Sequence, residues 1–141
     1  MRVDFYLLES ASAEQATAQL ARATLNAGEL LLVVGAGEAM DRALWEEFPQ
    51  DFLAHGRADH PHAERQPILL APDCAAANGA RFVLIADGLW REEALGFARA
   101  FLLFDDNSRA GARDTWRRLG EQEGVERNFW RQEAGRWIKQ A

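Results

Sequence analysis

Apolar residues fall along the chain in short blocks that read by turns as strands and as one face of a helix. Val3 to Leu8 is dense in apolar and β-favouring side chains and predicts a first strand. Ala16, Leu20, Ala23 and Leu25 to Ala27 recur at roughly helical spacing. They predict a helix from about Ala13 to Ala27, capped by Ser10 or Ser12 and ended at Gly28. Leu30 to Val34 is an uninterrupted apolar run of the type buried on both faces in a parallel sheet. Gly35-Ala-Gly37 then turns the chain into a second helix, about Glu38 to Glu47, stopped by Pro49.

The middle is less regular. Asp51 to Gly56 reads as a short strand ending at the glycine, and Arg57 to Gln66 as an exposed loop. Pro67 to Ala71 and Arg81 to Ala86 read as strands joined by the polar, small-residue connection Pro72 to Gly79. Glu92 to Phe97 predicts a short amphipathic helix and Ala100 to Phe104 a buried strand. Asp105 to Ser108 make a turn, with Ser108 placed to cap the helix that follows. Val125 to Arg131 and Arg136 to Ile138, split by Ala134-Gly135, form a terminal hairpin. Strands and helices in this order predict one α/β domain over residues 1–141, with a mostly parallel sheet and helices on both faces.

Composition narrows the function classes. An apolar fraction of 48% with five tryptophans excludes a disordered chain. No apolar run approaches the ~20 residues of a membrane span, and the N-terminal stretch around Asp4 and Glu9 lacks a secretory signal pattern. Cys74 is the sole cysteine, so no internal disulfide forms, which fits a reducing cytoplasm. The net charge of −6 speaks against broad binding to bare nucleic acid. The charge is uneven: residues 1–98 carry 7 Arg against 15 Asp and Glu, while residues 99–141 carry 9 Arg and Lys against 7. Basic groups that could meet an acidic partner therefore gather at the C-terminal end.

Candidate chemistry is sparse outside that end. Gly35-Ala-Gly-Glu-Ala-Met40 resembles a truncated dinucleotide fingerprint, but Met40 stands in place of the third glycine and Glu38 would repel a pyrophosphate. A small α/β enzyme or nucleotide-binding protein using that turn is the rival reading. His55, His60 and His62 match no common zinc spacing and read as part of a flexible loop, and Cys74 has no neighbouring base. No metal, cofactor or catalytic group is expected. Arg109, Arg113 and Arg117, four residues apart, share a helical face with Trp116 beside them. Next to the strand end at Phe104, they form a surface suited to an acidic ligand with an apolar tip. Trp45 and Phe52, near the exit of the second helix, are candidates for a protein interface.

Several segments in order are similar to a known family. Phe5-Tyr-Leu-Leu8, Leu44-Trp45, Phe52-Leu-Ala-His-Gly56, Gln66-Pro-Ile-Leu-Leu70, Phe97-Ala-Arg-Ala-Phe-Leu-Leu-Phe-Asp105 and Ala112-Arg-Asp-Thr-Trp116 resemble the chi subunit of bacterial DNA polymerase III holoenzyme along nearly the whole chain. Ala54 replaces a usual proline and Thr115 a usual basic residue. The resemblance implies a Rossmann-like, non-catalytic, cytoplasmic subunit without nucleotide. It implies pairing with the psi subunit, which tethers chi to the clamp loader. It also implies binding of the acidic, Phe-terminated tail of single-stranded DNA-binding protein (SSB), so that DNA is met only through SSB. By the same resemblance Phe104, Arg109, Arg113 and Trp116 would hold the tail; by their charge, Arg109 and Arg117 would steer its preceding aspartates. Trp45 and Phe52 would contact psi, or a helicase that competes for the same surface.

Overall fold

The computed structural model describes residues 1–141. Its strands and helices run β1 (Arg2–Leu7), α1 (Ala13–Asn26), β2 (Leu31–Val34), α2 (Ala39–Glu46), β3 (His55–Arg57), β4 (Ile68–Ala71), β5 (Phe82–Ile85), β6 (Arg99–Phe104), α3 (Arg109–Gly120), β7 (Glu126–Glu133) and β8 (Arg136–Lys139). One eight-stranded sheet has the order β3-β4-β2-β5-β6-β1-β7-β8, parallel except for the final β7–β8 hairpin. This is an α/β fold. No helix is long and apolar enough to cross a membrane.

Alternation along the strands builds two cores, one on each face of the sheet. Phe5, Leu7, Leu32, Val34, Leu102 and Phe104 share one core, to which α3 contributes Ala112 and Leu119. Tyr6, Leu31, Val33, Phe101 and Leu103 face α1 and α2, which contribute Ala16, Leu20, Met40 and Leu44. Central strands buried on both sides explain why their sequences read as unbroken apolar runs.

The first helix starts at Ser12, whose hydroxyl accepts from Gln15 N while the Gln15 side chain accepts from Ser12 N. This capping box selects Ser12 over Ser10. Gly28, with φ +80°, follows the helix end. The third strand differs from expectation. It is His55–Arg57: Leu53 is buried as well, but pairing with β4 begins only at His55, opposite Ile68, and runs on to Arg57. The segment Glu92–Gly96 is a 3-10 turn, too short to present an α-helical face. A further 3-10 turn, Ala63–Arg65, anchors the expected loop by burying Ala63.

Where β6, β1 and β7 lie side by side, a buried carboxylate ties them together. Asp4 is 0% exposed and accepts from Arg99 Nε at 2.7 Å, Arg2 Nε at 3.2 Å and Trp130 Nε1 at 3.0 Å. Tyr6 beside it stacks on Trp130 and meets Trp137 edge-on. Burial, with the Asp4 charge nearby, pushes the Tyr6 phenol up to about 12 against the opposing pull of Arg99 and Arg2.

Candidate functional site

The turn between β6 and α3 is set by Asp105. Its carboxylate accepts from Asn107 N at 3.0 Å and Ser108 N at 3.1 Å, and Asp105 N donates to Ser108 Oγ at 3.0 Å. Ser108 therefore occupies the N-cap position, but its hydroxyl faces back into the turn and makes no capping bond. Gly88, at φ +77°, makes room for that hydroxyl; a Cβ there would sit 2.4 Å from Ser108 Oγ.

From this start α3 buries Ala112, Thr115 and Leu119. Thr115 is turned inward, with its hydroxyl donating to Gly111 O at 3.0 Å. The adjoining face presents Arg109, Ala112, Arg113 and Trp116 to a pocket of about 360 Å³. Its floor is the end of the sheet: Phe5 and Leu7 of β1, Phe104 of β6 and Phe129 of β7. Parallel register aligns Phe5 with Phe129 and Leu7 with both Phe104 and Arg131, so all five side chains project on one face. Ala141 closes one end, where the chain beyond β8 continues its pairing with Phe129.

Arg117 does not line this pocket. At ~100° per residue it is rotated about 80° from Arg109 around the helix, and its guanidinium lies 3.8 Å from Asp114. The equal four-residue spacing of the three arginines thus overstated how far one face extends. The structure brings together Phe104, Arg109, Arg113 and Trp116, and leaves Arg117 outside.

The three arginines that do line the pocket are in different states. Arg113 has no acceptor within the chain. Arg109 reaches Asp106 through one terminal nitrogen at 2.8 Å, while its Nε is buried and unpaired. Arg131 is held by Glu9 through two contacts of 2.7 and 3.0 Å. That pairing lowers the Glu9 carboxyl below its ordinary range, chiefly through the Arg131 hydrogen bond. Trp116 is fixed as a wall: the Phe5 ring meets it edge-on at 5.1 Å, and the Arg127 guanidinium lies 4.3 Å over it. Arg127 also donates to Trp116 O at 2.7 Å and fills the space above Gly120, where a Cβ would come within 2.6 Å of it. Such a concave site, apolar below and cationic at its rim, can take a group with an aromatic tip and a carboxylate.

Sequence reading alone does not find Phe5, Leu7, Phe129, Arg131 or the Arg127 clamp. Phe5 and Leu7 look like ordinary core residues. The alternation along β7 was the available signal that Phe129 and Arg131 share a face.

A second surface lies at the other edge of the sheet. Trp45, at the end of α2, and Phe52 approach to 5.1 Å between ring centroids and are 43% and 79% exposed. Trp45 also packs at 4.3 Å on His55. His55 is no part of a flexible loop: it is buried, with Nδ1 2.7 Å from Leu53 O and Nε2 2.9 Å from the Asp41 carboxylate. It props up the exposed tryptophan.

The other sequence candidates lie away from the pocket, though the glycine turn shares Asp41 with the support of His55. The crevice at Gly35–Gly37 is lined by Glu38, Asp41 and Asp59 with one arginine, Arg57, a poor field for phosphate. Gly35 instead makes room for Asp87, whose carboxylate would lie 2.5 Å from a Cβ there. Burial raises the Cys74 thiol, which keeps it from acting as a ready nucleophile. No three His, Cys, Asp or Glu side chains gather as metal ligands.

Comparison with known proteins adds three findings. The family model for the DNA polymerase III chi subunit, HolC, matches residues 1–127. A search of curated proteins finds no match. Among solved structures, the C-terminal domain of the DEAD-box protein Dbp5 superposes with a TM-score of 0.51 at 11% identity, covering 89% of each chain. At that identity the likeness is one of fold alone.

Proposed function

This chain belongs to the DNA polymerase III chi subunit family and is an accessory subunit of that polymerase; we propose that it links the polymerase to SSB by gripping the SSB tail. The observation that carries this reading is Arg113, a guanidinium with no internal partner at the rim of an apolar pocket walled by Trp116. The terminal Phe ring of the tail lies against Trp116, over the floor made by Phe5 and Phe104. Its carboxylate takes a two-pronged contact from Arg113, and the aspartates before it lie in the field of Arg109. Arg117, outside the pocket, contributes only to long-range steering.

Burying one phenyl group stabilises by about 1.5–3 kcal/mol, and a charged hydrogen bond adds roughly 1.5–3 kcal/mol. After association costs the expected affinity is on the order of micromolar. Contacts this weak release readily, and many SSB tails on one coated strand raise the effective concentration.

The Trp45–Phe52 patch takes the psi subunit, which tethers the chain to the clamp loader, or a helicase that competes with psi. Five inter-strand steps separate β3 from β1, roughly 24 Å at ~4.8 Å per step, so both partners can be held at once. The chain has no catalytic role of its own, works in the cytoplasm and reaches DNA through SSB. A pull-down with intact SSB and with SSB lacking its final residue tests this. Capture of the intact protein alone is the expected result; equal capture of both would refute the pocket's role.

A further inference from the structure

The Arg131–Glu9 pair has a consequence for the same pocket that rests on the tail-binding reading. Residues after 127 lie outside the family match, yet they supply Phe129, Arg131 and Ala141 to the pocket wall. Arg131 is the arginine they add, and it is turned toward Glu9, which lies in the adjoining crevice with Asp87, Asp105 and Ser108. Glu9 is thus a carboxylate seated on a pocket arginine, the arrangement an acidic ligand would seek.

We propose that Glu9 is an internal competitor, and that Arg131 is a specificity-determining residue that an acidic chain end recruits by displacing it. The pair is easily broken. Its side chains are 51% and 37% exposed, and exposed ion pairs contribute little. An incoming run of aspartates offers Arg131 an equivalent partner, while Arg113 keeps the terminal carboxylate. The β7–β8 hairpin therefore reads the acidic residues that precede the terminal Phe, not the Phe itself.

A double-mutant cycle tests this by calorimetric titration with a synthetic peptide carrying aspartates before a C-terminal Phe. Glu9→Gln is expected to tighten binding by roughly two- to fivefold, and Arg131→Gln to weaken it by a similar factor. The double variant should match Arg131→Gln alone, because Glu9 acts through Arg131. With a peptide whose aspartates are replaced by asparagine, Glu9→Gln should have no effect. Melting curves check that each variant is folded. If the wild-type chain binds the acidic peptide and Glu9→Gln leaves its affinity unchanged, the competitor role fails while the pocket stands. If the gain from Glu9→Gln persists in the Arg131→Gln background, Glu9 merely repels the ligand and the proposal is overturned. If the wild-type chain and Glu9→Gln both ignore the peptide, the pocket reading fails and takes this inference with it.

Discussion

The pocket beside α3 and the Trp45–Phe52 patch differ in shape, charge and support. The pocket is concave, with an aromatic floor and three arginines on its rim. The patch is two exposed rings held up by a buried histidine, at the edge where the sheet ends in the short strand β3. A concave cationic site suits a small, charged chain end; exposed aromatics suit the apolar anchor of a broader interface. Under the proposed reading one scaffold presents two kinds of recognition, one joining charge to a single buried ring and the other resting on area. Changes to one should leave the other intact.

Arg113→Ala should show the largest separation. Losing a charged hydrogen bond of ~1.5–3 kcal/mol predicts roughly 10- to 150-fold weaker binding of the tail peptide, with psi capture unchanged. Titration calorimetry and a psi pull-down on the same sample measure both. Trp45→Ala comes next: a hot-spot aromatic is worth about 2 kcal/mol or more, so psi affinity should fall roughly 30-fold with the peptide unaffected. Parallel loss of both activities in either variant would erase the distinction between the surfaces. Salt sharpens it further. Raising ionic strength from about 0.05 M to 0.5 M should weaken the peptide several-fold and leave psi binding nearly level, because the Debye length contracts over that range.

The smallest effect concerns the scaffold behind the pocket, on the opposite face of β1. Tyr6 is the chain's only tyrosine, so ultraviolet titration reports it directly. Its folded pKa of about 12 lies above the ordinary value of 10.0. The folded state holds the phenol proton more tightly, so this contribution to stability is complete below pH ~10 and is lost as the pH rises toward about 12. A midpoint near 10 in the folded chain would mean that the Asp4–Tyr6 region is open to water.

Much of this architecture was legible because apolar runs and helix stops are local signals. Leu31 to Val34 had to be a buried strand whatever lay beside it, and Gly28 had to end the first helix. The pocket lining was legible along α3 and at the strand end before it, where Phe104, Arg109, Arg113 and Trp116 lie close together in sequence. Its other walls were not, since Phe5 and Phe129 meet only through the β1–β7 pairing. Arg117 escapes a spacing argument for a related reason: four residues advance the helix by about 400°, so the row drifts about 40° with each step. The burial of His55 leaves no local signal, because its partners, Asp41 and Leu53, include one from a different element.

The indole N–H signals of the five tryptophans give the most direct test of the central claim, that an acidic chain end seats against Trp116 and Arg113. Added to the isotope-labelled chain, a Phe-terminated acidic peptide should shift the Trp116 indole resonance and leave that of Trp45 in place. The same peptide should lose its effect on Arg113→Ala. A shift at Trp45 with Trp116 silent, or no shift at either while the peptide still binds, would contradict the account.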